Sequence, residues 1–444
     1  MRHALLGIVA LLALTGCATK YQRPQTNLPA QFAHGPSESA APKVSDRWWQ
    51  AFNDPHLNSL IDAVVARNND LAVAALRVRQ AQYRAGIAGL DQLPSASGSI
   101  SANKDGNTPT NYSARISIAY EVDLWGRLNS LGRAADWELR ATAQDRDAAQ
   151  LALIGTACEL YWRIGFTHQQ ITTGEASLAY ARKLLDLVRV QHRAGAVSGV
   201  EESEAEQSVN SQIASLTRLQ QQLVEYRASL ALLMNGEPTA EATEPQALPD
   251  MPLPDVDPGL PAELLARRPD LQAAESRLRE QLAITDATRA GFYPALSLTA
   301  GGGGSSTELG TILAHASTSL GAALSLPFLD FPRNHLNKRL SERDYDIAVL
   351  TYKQTLLQAL ADTDNTLSNR TQLARQGDAL RDTLTDAERT ESLYGVRYRA
   401  GAVALRVLLD AQESRRSAQL SYDSNRLDQL INQATLYQAL GGGY

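Results

Sequence analysis

The sequence has 444 residues, a formal net charge of −6 at pH 7 and two cysteines. The mildly acidic charge gives no support to nucleic-acid binding, and the seven histidines lack the spacing that a metal site needs. Beyond the first 16 residues, no apolar run approaches the length of a membrane-spanning helix, so any membrane crossing would use strands.

The N-terminus has the features of an export signal. Arg2 and His3 precede a short apolar run, residues 4–14, which is too brief to span a bilayer. Leu14-Thr15-Gly16-Cys17 follows as a small-residue cleavage site. Residues 1–16 are therefore predicted to be a signal peptide.

The cysteine at this site resembles the first mature residue of bacterial lipoproteins. By that resemblance, Cys17 carries a covalent lipid, which is the only non-protein group expected, and Ala18 favours sorting to the outer membrane. An ordinary signal with a chance cysteine is the alternative. The second cysteine, Cys158, lies in a helical stretch and is predicted to be a small buried hydrophobe.

The next segment, residues 17–45, is rich in Pro, Ala, Ser and Gln and is predicted to be a lipidated tether. The first structural repeat, residues 46–236, follows it. Asp54 before Pro55 is typical of a helix start, because Asp caps the helix and Pro suits its first position. Apolar residues at steps of three and four predict one amphipathic helix over residues 55–90.

The hydrophobic period then changes from 3.6 to 2. From Tyr112 to Leu124, apolar residues alternate with polar ones, and a weaker alternation precedes them at Ser95 to Asn103. Together these predict a hairpin over residues 95–124, with one apolar and one polar face, as transmembrane barrel strands require. Chance alternation or a hairpin in a soluble sheet is the alternative.

A long helix running to about His192 is predicted next, because no proline occurs between Pro109 and Pro238. At 1.5 Å per residue it would be about 100 Å long, so it must pack on similar helices as a coiled-coil sheath. Gly195 marks a hairpin turn, and a returning helix from Ser198 to Met234 is its natural neighbour.

Four carboxylates follow that turn, at positions Glu201, Glu202, Glu204 and Glu206. They could be taken for catalytic groups. Their position in the first turns of a helix, where the helix dipole favours negative charge, is the simpler explanation. No nucleophile-base motif or phosphate loop accompanies them, so the sequence predicts no enzyme.

The chain is predicted to be a duplication. Arg193-Ala194-Gly195-Ala196-Val197 returns unchanged at residues 399–403, so Gly401 marks a second hairpin turn. Matches around Ala66 and Ala266 share one offset, and Asp257-Pro258 is predicted to cap a helix as Asp54-Pro55 does. Residues 237–258 are a proline-rich linker, and residues 259–444 form the second repeat.

The second repeat carries its own predicted hairpin, residues 295–327, around a glycine-rich loop from Gly301 to Ser306. That loop lacks the Lys-Ser/Thr of a phosphate site. Helices are expected from Asn334 to Arg399 and from Val403 to Leu440. Four strands per chain cannot close a barrel, so the chain must oligomerise; a dimer would just suffice and a trimer would supply twelve strands.

This order of motifs resembles the TolC-like outer membrane efflux proteins, and more narrowly their lipoprotein branch. The motifs are the lipobox cysteine, the strand hairpin, the entry Trp125-Gly126-Arg127-Leu128 to a long helix, the glycine turn and a second copy ending at residues 436–443. The resemblance covers essentially the whole mature chain. The second strand-to-helix junction departs from it, because Leu326 to Arg333 contains two prolines where the family has Gly-Arg or Gly-Gly-Arg.

The resemblance implies a mainly α fold with a membrane β-barrel contribution. It implies a homotrimer, with a twelve-strand barrel in the outer membrane continued by a twelve-helix tunnel through the periplasm. Such a channel passively conducts drugs or other small molecules, delivered by an inner-membrane transporter through a periplasmic adaptor. Type I protein secretion and a non-pore structural lipoprotein are the alternatives.

The resemblance also points to the periplasmic aperture. Glu204 and Asp410 occupy equivalent positions after the two turns, and Asp410 resembles the family's aperture aspartate. Arg406 lies one helical turn earlier and is placed to pair with Asp410. Solvated charges on a helix face are the alternative interpretation.

Overall fold

The computed structural model describes residues 19–26, 28–35, 45–237 and 243–442. The predicted signal peptide and Cys17 lie outside these residues. The described chain forms two compact units. Unit 1 contains residues 19–26, 74–146 and 270–357, and unit 2 contains residues 28–35, 45–73, 147–237, 243–269 and 358–442.

The first repeat contains four helices and two strands. In chain order they are α1 (Pro55–Arg67), α2 (Asn69–Leu90), β1 (Ser95–Asn103), β2 (Asn111–Val122), α3 (Arg127–Arg193) and α4 (Gly199–Leu233). Among the described residues, no helix is both long enough and apolar enough to cross a lipid bilayer.

The second repeat has the same order of elements. They are α5 (Leu264–Arg267), α6 (Pro269–Ala290), β3 (Ala295–Ser306), β4 (Ser317–Ser325), α7 (Phe331–Arg399) and α8 (Leu405–Ala439). The short helix α5 stands where the first repeat has α1, and a 3-10 turn at Pro261–Glu263 precedes it.

The prediction of a single helix over residues 55–90 is wrong, because the helix is interrupted at Asn68. This residue has an extended backbone, with ψ of 125°. Its side-chain oxygen accepts a hydrogen bond from the amide of Leu71 at 2.9 Å, while its amide group donates to the carbonyl of Leu233 at 3.1 Å. Asn68 therefore ends α1 and caps α2, as Asn commonly does at helix starts.

The predicted helix cap at Asp257 is also wrong. Asp54 does cap α1, accepting from the amides of His56 and Leu57. Asp257 accepts only from the amide of Gly259, at 2.9 Å, and the chain stays non-helical until Pro261. Gly259 has φ of +66°, a left-handed conformation that interrupts any helix starting at Pro258.

Aromatic side chains form part of the core of unit 2. The ring of Trp48 stacks on Tyr437 at 4.9 Å, and Phe52 meets Trp162 edge to face at the same distance. All four side chains are buried. The tryptophan-rich segment before α1 is thereby packed against α3 and α8, which gives large apolar burial within this unit.

The four strands form one antiparallel sheet in unit 1, in the order β1-β2-β3-β4. The central ladder joins the two repeats, pairing Tyr112 with Ser306 at one end and Val122 with Leu296 at the other. The two predicted hairpins are therefore neighbours in a continuous sheet.

The glycine-rich loop predicted at Gly301 to Ser306 is wrong, because these residues belong to β3. Gly303 pairs with Arg115 and with Ser317. A Cβ on Gly303 would overlap the carbonyl oxygen of Ala114, and one on Gly304 would overlap that of Ile312. Glycine thus serves close approach of neighbouring backbones here, and the connection to β4 begins only at residue 307.

Candidate functional site

The sheet of unit 1 has one apolar face. Register and alternation place on it six large side chains that remain exposed: Ile100, Ile116, Ile118, Leu298, Leu320 and Leu324. Ile100 is 81% exposed and Leu320 is 90% exposed, so nothing in the described chain covers these two residues. A contiguous apolar surface of this kind marks contact with lipid or with another protein.

The opposite face of the sheet is lined mainly by serine. On β1 and β2, the Ser97 and Ser117 hydroxyls lie 2.8 Å apart, and those of Ser101 and Ser113 lie 2.9 Å apart. The charged residues of this face are Arg115 and Glu121. The sheet therefore separates an apolar surface from a hydroxyl-lined one, as the alternating pattern predicts.

The two outer strands leave open edges. Within the described chain, β1 pairs only with β2, and β4 pairs only with β3. One side of each outer strand thus has no strand partner among the described residues. Such edges invite pairing with another copy or another chain.

The first strand-to-helix junction is held by specific contacts. The carboxylate of Asp123 accepts from the amides of Leu128 and Asn129, at 3.1 and 2.8 Å, and so caps α3. The Trp125 indole donates to the carbonyl of Pro294 at 2.9 Å and stacks on Tyr293. This entry to the long helix is therefore tied to the start of β3.

The second junction is built differently, as its prolines suggest. Residues Pro327–Leu329 form a 3-10 turn, and α7 begins at Phe331 with Pro332 in its first turn. The predicted start at Asn334 is therefore three residues late. A proline at this position leaves the helix intact, because first-turn amides have no intrahelical acceptor.

Both repeated glycines lie in left-handed turns between helices. Gly195 has φ of 72° and Gly401 has φ of 70°. In each turn the following alanine donates to a carbonyl five residues earlier, Ala196 to Gln191 and Ala402 to Arg397, both at 2.9 Å. These are the bonds of a Schellman helix end, so the repeated pentapeptide has the same conformation twice.

The two turns pack together through a small apolar cluster in unit 2. Its buried members are Leu184, Leu185, Val188, Ala205, Leu405 and Leu408. The Tyr398 hydroxyl also donates to the side-chain oxygen of Gln191 at 3.3 Å. We call this region, residues 184–209 and 394–410, the helix tip.

The predicted aperture residues are all at the helix tip. Asp410 is 74% exposed at its side chain, and the Arg406 guanidinium lies 4.0 Å from it. Glu204 is partly exposed, and neither an ion pair nor a hydrogen bond joins it to Asp410 in the described chain. The predicted Arg406–Asp410 contact thus exists, as a long and solvated one.

Sequence reasoning missed a salt-bridge network across the first turn. Arg189 lies 2.7 Å from Glu206 and 3.3 Å from Glu202, and His192 lies 2.9 Å from Glu202. The available signal was the antiparallel register of the two helices around Gly195. This network ties α3 to α4 beside the turn.

Glu201 has a structural task in the same segment. It forms a capping box with Ser198, accepting from the Ser198 amide at 3.0 Å. Hydrogen bonds from Ser198 lower the pKa of this carboxyl. Glu201 is thereby engaged in helix capping, and Glu202 and Glu206 are engaged in ion pairs.

A buried carboxylate lies deeper in unit 2. Asp423 on α8 is 3% exposed and accepts hydrogen bonds from Gln170 at 3.0 Å and Gln419 at 2.9 Å. Desolvation raises the pKa of Asp423, although the glutamine amides oppose the shift. These hydrogen bonds come from amides rather than from cations, so the charge of Asp423 is poorly compensated.

The described residues hold no cluster of His, Cys, Asp and Glu able to bind a metal ion. Cys158 is fully buried, and this burial raises the pKa of its thiol. A thiol in such surroundings is unreactive.

Comparison with known proteins identifies a family with this architecture. The family model described as "Outer membrane efflux protein" matches residues 60–236 and 260–442. The pyoverdine export outer membrane protein OpmQ of Pseudomonas putida is 32% identical, over 98% of this chain and 96% of its own. The toluene efflux pump outer membrane protein TtgC of Pseudomonas putida is 31% identical, over 100% and 96%.

A solved structure agrees with the same grouping. The open state of the Neisseria gonorrhoeae MtrE outer membrane channel superposes with a TM-score of 0.84 at 27% identity. The match covers 96% of this chain and 98% of that one.

Proposed function

Because the chain belongs to the outer membrane efflux protein family, we propose that it is the exit duct of a tripartite efflux system. Three copies form a twelve-strand barrel in the outer membrane and a twelve-helix tunnel in the periplasm. The duct receives small molecules from an inner-membrane transporter through a periplasmic adaptor and conducts them passively outward.

The observation that carries this proposal is the two-faced sheet with open edges. Its apolar face suits contact with lipid, and its serine-lined face suits a water-filled interior. Its outer strands, β1 and β4, each have one unpaired edge within the described chain. Unpaired backbone groups are very costly in a bilayer, so the edges must close on other copies. Three copies give twelve strands, within the range of natural barrels.

Apolar stripes on two helices of unit 1 support the same assembly. Leu76, Tyr83, Ile87 and Leu90 on α2 are each at least 59% exposed, at steps of seven, four and three. On α7, the exposed residues Leu336, Leu340, Ile347, Leu350 and Leu357 follow a similar spacing. Heptad-like spacing of this kind is typical of helices that pack on other helices, and we assign both stripes to neighbouring copies.

We further propose a lipid anchor on Cys17. Two residues beyond it, Thr19 is held on α6, where the Asp286 carboxylate accepts from its amide at 2.9 Å and its hydroxyl at 2.6 Å. Arg23 pairs with Glu275 at 2.6 Å. A chain fastened in this way directly after the cysteine suits an anchor with a defined attachment point.

The helix tip is proposed to form the periplasmic mouth. In a trimer, Asp410 and Glu204 would supply rings of carboxylates there, and such rings attract cations. Arg406 moderates the charge of Asp410 only weakly, because both side chains are about three-quarters exposed.

Small molecules are favoured over proteins as the cargo. The relatives named above are described as exporting pyoverdine and toluene. Both relatives align with nearly the full length of this chain, and we assign it the same class of cargo.

Two measurements on the full-length protein test the proposal. Native mass spectrometry in detergent should show three chains, and reconstitution into planar bilayers should give discrete conductance steps. A stable monomer would contradict the argument from the open edges. A trimer without conductance would favour the non-pore lipoprotein instead.

A further inference from the structure

Arg115 occupies an unusual place on the serine-lined face of the sheet. It lies on β2, paired across one ladder with Ser99 on β1 and across the other with Gly303 on β3. Along β2 its neighbours on the same face are Ser113 and Ser117. Arg115 is therefore flanked by serine and glycine on its own and the adjacent strands, and it is exposed.

No residue of the sheet compensates this charge locally. The other charged residue on the same face, Glu121, lies six residues along β2, or about 20 Å, and is bonded to Arg127 at 2.8 Å. That separation is about twice the Debye length at 0.1 M salt, about 10 Å. Because an arginine stays protonated at any working pH, the face carries a permanent positive charge at this level.

There is also a structural reason for a glycine opposite Arg115. At Gly303 a side chain would overlap the backbone of β2, so this position stays bare. The neighbour of Gly303 on β4 is Ser317, again small and neutral. Ser99, Arg115, Gly303 and Ser317 pair in one row across the four strands. This row therefore contains one cation and no carboxylate.

We propose that Arg115 forms a ring of three cations inside the barrel and biases the duct toward anionic solutes. This inference rests on the proposed trimeric channel, in which the serine-lined face is the interior. Rings of Arg or Lys select anions in pores, and residues facing a barrel lumen tune selectivity. The ligands concerned are carboxylate- or phosphate-bearing solutes, which a guanidinium binds through paired hydrogen bonds.

The ring would act separately from the helix tip. Asp410 and Glu204 would favour cations at the mouth, whereas Arg115 would favour anions within the barrel. The duct would therefore contain two charge filters of opposite sign, built from different units of the chain.

Ion selectivity of the reconstituted protein tests the proposal. In planar bilayers under a KCl gradient, Arg115→Ser should shift the reversal potential toward that of a more cation-selective channel, and Arg115→Lys should stay near wild type. Lys104→Ser is the matched control, since it removes one positive charge from the loop between β1 and β2. Equal shifts for Arg115→Ser and Lys104→Ser, or no shift in either, would overturn the ring.

Thiol labelling supplies an independent readout. Cys158 is fully buried and Cys17 is expected to be acylated, so Arg115→Cys would introduce an accessible thiol. A water-soluble cationic thiol reagent should restore anion preference, and an anionic one should reduce it further. Ile116→Cys, on the opposite face, should react with a lipid-soluble maleimide and resist the water-soluble reagents.

The possible results distinguish failure of the Arg115 ring from failure of the proposed channel function. Conducting trimers of the Arg115→Cys variant whose new thiol resists aqueous reagents would refute the lumen position of Arg115 while leaving the channel intact. A wild-type protein that forms no conducting trimer would overturn the proposed function, and this inference with it.

Discussion

The carboxylate of Asp54 accepts a hydrogen bond from the hydroxyl of Tyr161 at 2.8 Å while it caps α1. Tyr161 is 4% exposed, and burial, followed by the interaction with Asp54, raises the pKa of its hydroxyl. One side chain thus starts a short helix and fastens it to α3.

We expect Asp54→Ala to destabilise the protein by about 2–3 kcal/mol, the sum of a lost cap and a lost buried hydrogen bond. The matched control is Asp257→Ala, at the corresponding position of the second repeat, where the side chain caps no helix. Thermal unfolding followed by circular dichroism checks both. Equal losses in the two variants would show that the cap and the Tyr161 contact contribute little.

Gly303→Ala should impair assembly of the sheet. Its Cβ would meet the backbone of Ala114 and Arg115, which no rotamer change can relieve. The neighbouring change Gly302→Ala is the control, because its nearest contact would be an ordinary 3.6 Å to the Ser317 carbonyl. We expect heat-sensitive trimer on gels to be lost in the first variant and kept in the second; similar yields would contradict the close approach.

Stability should depend on pH through Asp423. Its pKa is raised in the folded state by desolvation, so the protonated form is favoured there. The stabilisation is present below its ordinary pKa of 3.8 and is lost as pH rises through the folded value. At pH 7 the buried charge is therefore a cost.

Asp423→Asn should raise the melting temperature at pH 7, and the gain should shrink as pH falls toward 4. Asp382→Asn, at an exposed position of α7, should leave the melting temperature unchanged both at pH 7 and near pH 4. Melting curves across this range decide the matter. A variant less stable than wild type at pH 7 would mean that the hydrogen bonds to Gln170 and Gln419 outweigh desolvation.

Asp410→Ala should lower the cation preference of the channel. Its contact with Arg406 is exposed and 4.0 Å long, so its loss should change stability by no more than about 0.5 kcal/mol. If this contact also helps to hold the mouth closed, closed-state conductance will rise. Reversal potentials measured beside Glu413→Ala, a change of equal charge on the same helix, test this; unchanged selectivity would refute the aperture assignment.

Cys17→Ser should abolish lipid attachment while trimers still assemble. In the proposed trimer, twelve strands would bury far more apolar surface than acyl chains do, so we expect the anchor to be dispensable for the fold. Metabolic labelling with palmitate, followed by native gel analysis, reads both properties. The Cys158→Ser variant should keep its label, and label persisting on Cys17→Ser would refute the anchor.

Local signals were sufficient for much of this fold. The alternation around Ile116, the cap at Asp54 and the glycines at 195 and 401 each depend on interactions within a few residues. Such patterns predict strands, helix starts and turns because the physical cause lies in the same stretch of chain. The same reasoning correctly predicted two hairpins and long helices in a duplicated chain.

Two of the failures, at Gly303 and Asn68, have a different cause. Glycine-rich sequence is typical of loops, yet Gly303 belongs to a strand because it pairs with Arg115. That partner lies 188 residues away in the sequence. Asn68 ends a helix because its amide reaches Leu233 across the fold. Neither contact leaves a local signature.

The sequence by itself thus determined the two-faced strands, the repeated turns and the family resemblance, all of which follow from period and composition. Only the tertiary structure decided the order of the strands, the register that isolates Arg115 among serines, and the burial of Asp423. These depend on which distant segments meet, because an uncompensated charge is defined by its neighbours in space and not by its neighbours in the chain.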